Sequence, residues 1–169
     1  MQFMAWSRDG NKIYYRRSEP KATRLMAHIV ETGEEKELFR YHDHFFPANL
    51  AVSPDGRQLA FGSKGALLIM SAEGGEPRVV VPEPTETRLG PRGIAWGANG
   101  RFLYYFTEEQ GGDNHPTHLF RVPMEGGQPE NLGVRSEDAR WLSVHPDGHR
   151  IVYSSQRYNA EVWVLENVR

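Results

Sequence analysis

Apolar residues along this chain fall in short alternating runs rather than at helical spacing, and the runs repeat. Leu50-Ala51-Val52 and Leu59-Ala60-Phe61 flank the polar tetrad Ser53-Pro54-Asp55-Gly56. Period-two runs on either side of turn residues predict an antiparallel hairpin. Pro54 sets φ for the second position of a type I turn and Asp55 suits the third. Gly56 supplies the left-handed residue that returns the chain to a strand through a bulge. Three more tetrads stand in the same setting: Ser7-Arg8-Asp9-Gly10, Gly97-Ala98-Asn99-Gly100 and His145-Pro146-Asp147-Gly148. Only the glycine is constant, at the one position where a β-carbon is penalised.

The flanking runs are as regular as the turns. Before each tetrad lies a triplet with a small middle residue: Met4-Ala5-Trp6, Leu50-Ala51-Val52, Ile94-Ala95-Trp96 and Leu142-Ser143-Val144. After each comes a triplet closed by an aromatic, such as Ile13-Tyr14-Tyr15 and Ile151-Val152-Tyr153. Alternation puts the small residues on one sheet face and the large ones on the other, which suits sheets that converge on an axis. A second hairpin follows in the first three units, where Thr32-Gly33, Gly74-Gly75 and Gly126-Gly127 separate apolar runs. The turn glycines Gly10, Gly56, Gly100 and Gly148 are spaced by 46, 44 and 48 residues, the period of a four-stranded propeller blade.

The expected fold class is therefore all-β, a β-propeller of four-stranded antiparallel blades forming one domain over residues 1–169. Its blades are expected near 1–45, 46–90, 91–136 and 137–169. Ala160 to Leu165 reads as the third strand of the last blade, and Arg169 ends the chain where an outer strand is expected. Met1 to Phe3 are too few to serve as a spare strand that closes a ring.

Composition narrows the function. A formal charge of −2 with 25% charged residues argues against a nucleic-acid or anionic-membrane surface spread over the molecule. The chain has no cysteine, which excludes disulfides, thiolate catalysis and cysteine-based zinc sites. No run approaches the length of a membrane span, and residues 1–15 lack a basic start followed by an apolar core. The compartment is undetermined: cytoplasmic as written, periplasmic if the chain belongs to an exported protein.

The stretch Ala51 to Phe61, followed by Ala72-Glu73-Gly74-Gly75-Glu76-Pro77-Arg78, resembles the TolB-type, WD-like propeller repeat. Copies of that repeat also occur in prolyl-oligopeptidase-like and tricorn-like proteases. The resemblance extends over essentially the whole chain and is carried by turn and core residues, so it implies a fold more than an activity. Glu161-Val162-Trp163-Val164-Leu165-Glu166-Asn167 looks like the ending of certain bacterial propellers of this type, which implies a C-terminal half. Closed propellers run from about four to eight blades. Four blades left as an open arc would expose two apolar flanks and a free edge at Val162 to Leu165, an aggregation hazard. The expected partner is a second copy, in a head-to-tail dimer that closes an eight-bladed ring by two-fold rotation; a strained four-bladed monomer is the competing form.

Loops on a rigid scaffold are where binding resides, so the rim opposite the tetrads is the candidate face for a protein or peptide partner. Six residues there are candidate ligand-binding groups: His42, His44, Arg92, His115, Arg140 and Trp141. Alternate histidines in His42-Asp43-His44 can point to one side and bind a transition metal, with His115 the nearest third ligand. Without a recognised third partner, such a pair reads first as surface residues. Arg92 and Arg140 each precede an innermost strand. There they suit a carboxylate or phosphate, or structural bridges to Glu137, Asp138 or Glu108. No nucleophile elbow or phosphate-binding loop occurs, so no catalytic residue, metal or cofactor is assigned. The functional expectation is a non-catalytic interaction or assembly module. The alternative is a metal- or small-ligand-binding, carbohydrate-active site at the loop rim.

Overall fold

The computed structural model describes residues 3–41, 48–82, 91–108, 116–156 and 160–166. These form fifteen strands and no helix. The first sheet holds β1 (Met4–Trp6), β2 (Lys12–Glu19), β3 (Ala22–Ile29) and β4 (Glu35–Tyr41). The second holds β5 (Ala48–Val52), β6 (Gln58–Ser63), β7 (Ala66–Ser71) and β8 (Arg78–Val81). The third holds β9 (Arg92–Trp96), β10 (Phe102–Glu108), β11 (Pro116–Pro123) and β12 (Glu130–Glu137). The fourth holds β13 (Ala139–Val144), β14 (Arg150–Gln156) and β15 (Ala160–Glu166), three strands among the described residues. Within each sheet, strands neighbour one another in chain order. These are the blades of a propeller.

The repeated tetrads form the turns expected of them. Gly10, Gly56, Gly100 and Gly148 have φ of 74, 75, 71 and 75°. Each donates its N–H to the carbonyl three residues earlier, as Gly56 does to Ser53 at 2.9 Å. The third residue does more than the turn type demands. Asp9, Asp55, Asn99 and Asp147 each accept the backbone N–H two residues on, at 2.8–3.0 Å. Ser7 and Ser53 donate their hydroxyls to Asp9 and Asp55 at 2.6 Å. An Asx turn therefore overlaps the end of each tetrad and leads the chain into the next strand.

Three hydrophobic cores lie between successive sheets. The first joins Tyr14, Leu25 and Leu38 to Val52, Leu59 and Phe61. The second joins Ala60, Leu67 and Ile69 to Ile94, Leu103 and Tyr105. The third joins Tyr104, Phe106 and Leu119 to Ile151 and Tyr153. No buried cluster joins the fourth sheet to the first among the described residues. Among the described residues the four blades thus form an arc packed at three junctions. The innermost strands line its concave side, a channel of about 320 Å³ between Ala5 and Trp6 at one end and Ser143 and Val144 at the other.

Strand pairing also extends through polar segments at the rim opposite the tetrads. Arg16 to Thr23 continues the hairpin to a turn at Pro20-Lys21. Gly133 to Arg140 is mostly β12 and β13, separated by Asp138 alone, whose φ of 48° turns the chain. Polar residues that pair across strands read as loop when only hydropathy is followed.

Candidate functional site at the inner rim

Arg92 opens β9, and Arg140 and Trp141 lie early in β13, both at the rim opposite the tetrads. Each of these strands carries a bulge there. Pairing shifts register between Tyr104 and Phe106 opposite β9, and between Ala139 and Trp141 in β13. Bulges re-aim side chains at sheet rims, and here they bring the two arginines around one carboxylate. Arg92 reaches Glu108 at 2.8 Å and Asp138 at 2.7 Å. Arg140 reaches the other oxygen of Asp138 through Nε at 2.9 Å and Nη2 at 2.7 Å. Glu108, Arg92 and Asp138 are largely buried, while Arg140 is half-exposed.

The chain Glu108–Arg92–Asp138–Arg140 alternates in sign and balances in charge. Of the partners expected for the arginines, Glu108 and Asp138 are used. Hydroxyls tie the same rim across the third and fourth blades: Ser136 donates to Ser155 at 2.8 Å, Ser155 to the Glu137 carbonyl at 2.6 Å, and Thr117 to the Ser136 carbonyl at 3.1 Å. Beside the network lies a cavity of about 130 Å³ lined by Asn49, Arg92, Arg140 and Trp141. Trp141 is half-exposed. Asn49, with φ of 56°, donates its amide to the Pro91 carbonyl at 3.3 Å.

The structure thus brings Arg92, Arg140 and Trp141 to one place. His42, His44 and His115 lie outside the described residues. Asn49 is the member that the sequence does not single out. Its one signal is the tolerance of asparagine for the left-handed region. Chemically, Arg92 is held on both sides, whereas Arg140 and the Trp141 indole are the members that reach solvent. Among the described residues, no group of three or more histidine, aspartate or glutamate side chains is placed to hold a metal.

No protein-family model matches the chain, and no curated protein matches it in sequence. Solved structures do. TolB from Acinetobacter baumannii superimposes with a TM-score of 0.77 at 16% identity, over 98% of this chain and 41% of that one. A protein of Agrobacterium tumefaciens assigned as TolB gives 0.78 at 15% identity, over 97% and 60%. A chain of a nidogen/laminin complex gives 0.73 at 15% identity, over 98% and 64%. This chain therefore spans less than two thirds of the length of each. At such identities the likeness is one of architecture, and on that ground the chain has the TolB-like β-propeller fold.

Proposed function

We propose that the chain is a non-catalytic propeller module for protein–protein interaction, completed by self-association into an eight-bladed ring. One observation carries this reading. Leu25, Leu67 and Leu119 occupy one position on the third strand of the first three blades, and each is 0% exposed beneath the next blade. Val162 holds that position in the fourth blade and is 74% exposed. An apolar flank with its own pattern of interdigitation is a docking surface in want of a neighbour. Propeller chains in structures such as the nidogen/laminin complex fit an interaction role. Light scattering behind a sizing column tests the reading: a mass twice the 19.3 kDa of the chain is expected, and a monomer mass at all accessible concentrations overturns it.

The rim cavity supports a second reading, a site for a small carboxylate-bearing ligand. It rests on the half-exposed Arg140 guanidinium beside the Trp141 indole. Millimolar citrate should raise the Tm of the wild type by ligand linkage and leave the Arg140→Ala variant unmoved. An unchanged wild-type Tm rejects this site.

A further inference from the structure

The internal junctions follow rules specific enough to be extended past the last blade. Trp96 of the third blade donates its indole N–H to the Ala51 carbonyl of the second at 3.2 Å. Trp6 holds the same strand position in the first blade, yet is 59% exposed where Trp96 is 6%. The residue that corresponds to Ala51 in the fourth blade is Ser143.

The tetrads obey a second rule. A β-carbon placed on three of the four turn glycines meets the second tetrad residue of the preceding blade: Arg8 at 3.6 Å from Gly56, Pro54 at 3.8 Å from Gly100, and Ala98 at 3.4 Å from Gly148. Among the described residues, only Gly10 of these four has nothing within 4 Å. Pro146, the second tetrad residue of the fourth blade, is the group that continues the series.

The Gly-Gly turns supply a third rule, and it concerns the strand that the fourth blade lacks among its described residues. In the second blade, Gly75 donates its N–H to the Leu38 carbonyl of the preceding outer strand at 3.2 Å, and that oxygen lies 3.1 Å from a β-carbon built on Gly74. In the third blade, the Val80 carbonyl of the preceding outer strand lies 3.6 Å from a β-carbon built on Gly126, an ordinary contact distance. Outer-strand Arg78 also donates to the Met124 and Glu125 carbonyls of the third blade's turn at 2.7 and 3.2 Å. The first blade has Thr32 at the equivalent place. Its turn closes on itself, with Gly33 donating to the Ile29 carbonyl at 2.9 Å. Here the counterpart of the N–H that Gly75 gives to a preceding outer strand is bonded within the turn itself.

Charge agrees. Lys12 of the first blade pairs with Glu73 in the turn of the second at 2.7 Å. The corresponding residues at the open ends are Arg150 and the exposed Glu31.

From these regularities we infer that a second copy docks head-to-tail, the three described strands of its fourth blade against the first blade, with Trp6 over Ser143 and Pro146 over Gly10. This rests on the self-association proposed above and fixes its direction and register. A four-stranded neighbour would bring an outer strand against Thr32, at the place where the second blade has Gly74. A neighbour that presents three strands fits.

The absence of cysteine makes cross-linking a clean test. Cysteines at Arg8 and Gly56 should bridge within one chain, since a β-carbon at Gly56 lies 3.6 Å from that of Arg8, which matches disulfide geometry of about 3.5–4.5 Å. That pair is the control for strain at a left-handed position. The Gly10→Cys and Pro146→Cys single variants, mixed under oxidising conditions, are expected to give a disulfide-linked dimer. Trp6→Ala is expected to halve the mass seen by light scattering while leaving the far-UV spectrum unchanged. A wild-type dimer with no 10–146 bridge, when the control bridge forms, overturns the register and leaves self-association standing. A monomeric wild type removes both. A 10–146 bridge inside a single chain of the double variant also overturns the inference, because it marks a closed four-bladed ring.

Discussion

At the residue scale, the third tetrad position carries a pH dependence. The carboxyl of Asp55 is held below its ordinary value by the Ser53 hydroxyl first and the Arg57 N–H second. Asp9 is lowered in the same way by Ser7 and Asn11. Asp147 is lowered chiefly by the His149 N–H, with Arg150 adding to it. A carboxyl with a depressed folded-state pKa contributes stability above its unfolded pKa and loses it as pH falls through the folded value. The Tm is therefore expected to drop as pH falls below about 4. An Asp9→Asn, Asp55→Asn, Asp147→Asn triple variant should flatten that limb in a thermal melt series; the third blade already has Asn99 at this place. At the inner rim, Asp138 holds both arginines from a left-handed backbone position. Asn tolerates that backbone, so Asp138→Asn removes the charge and turns one acceptor oxygen into a donor amide without straining the chain; it should cost about 1–3 kcal/mol in urea unfolding. An unchanged midpoint would show the network to be ornamental to stability. The turn glycines are legible in the sequence because φ > 0 leaves few alternatives. The Asx bond is harder to read, because tolerance of Asp and Asn in a turn does not announce that each supplies an acceptor.

At the scale of elements, one strand position can be compared across blades. Leu67→Ala deletes side-chain atoms that are fully covered and should destabilise by about 2–5 kcal/mol. Val162→Ala, at the matching position of β15, should change unfolding of the isolated chain by less than about 0.5 kcal/mol while weakening association. Equal costs in dilute and concentrated protein would argue that the β15 flank is not an interface. Strands and hairpins are readable because alternation and turn chemistry agree in every unit. The rim is less so. Lys12–Glu19 and Glu130–Glu137 are strands rich in polar side chains, and pairing that spans the blade, rather than local hydropathy, extends them. The arginine–carboxylate chain is visible in the sequence only as a choice among partners. The bulges in β9 and β13 that select Asp138 and Glu108 leave no mark on composition.

For the whole molecule, the three inter-blade cores lie between blades of one chain, away from the exposed Trp6 and Val162 flanks. A dimer built on those flanks should show a Tm that rises with protein concentration, as linkage to association requires, in scanning calorimetry. A concentration-independent Tm alongside a dimer mass would mean that association precedes and survives unfolding. The fold is legible because a repeat states the same instruction several times. The candidate site is only partly so, because its members come from different blades and meet through the geometry of the arc.

Trp6 and Val162 stand on opposite flanks of one chain, and this gives the surface a polarity that can be read genetically. A chain carrying Trp6→Ala has a damaged head and a sound tail; one carrying Val162→Glu has the reverse. Neither homodimer retains an intact junction. Mixed, the two variants form a heterodimer that has one sound junction and one damaged twice over. Partial complementation between two variants that are each monomeric alone is the behaviour of a head-to-tail ring. A symmetric flank-to-flank pair, in which each copy offers the same surface, has no means of producing it.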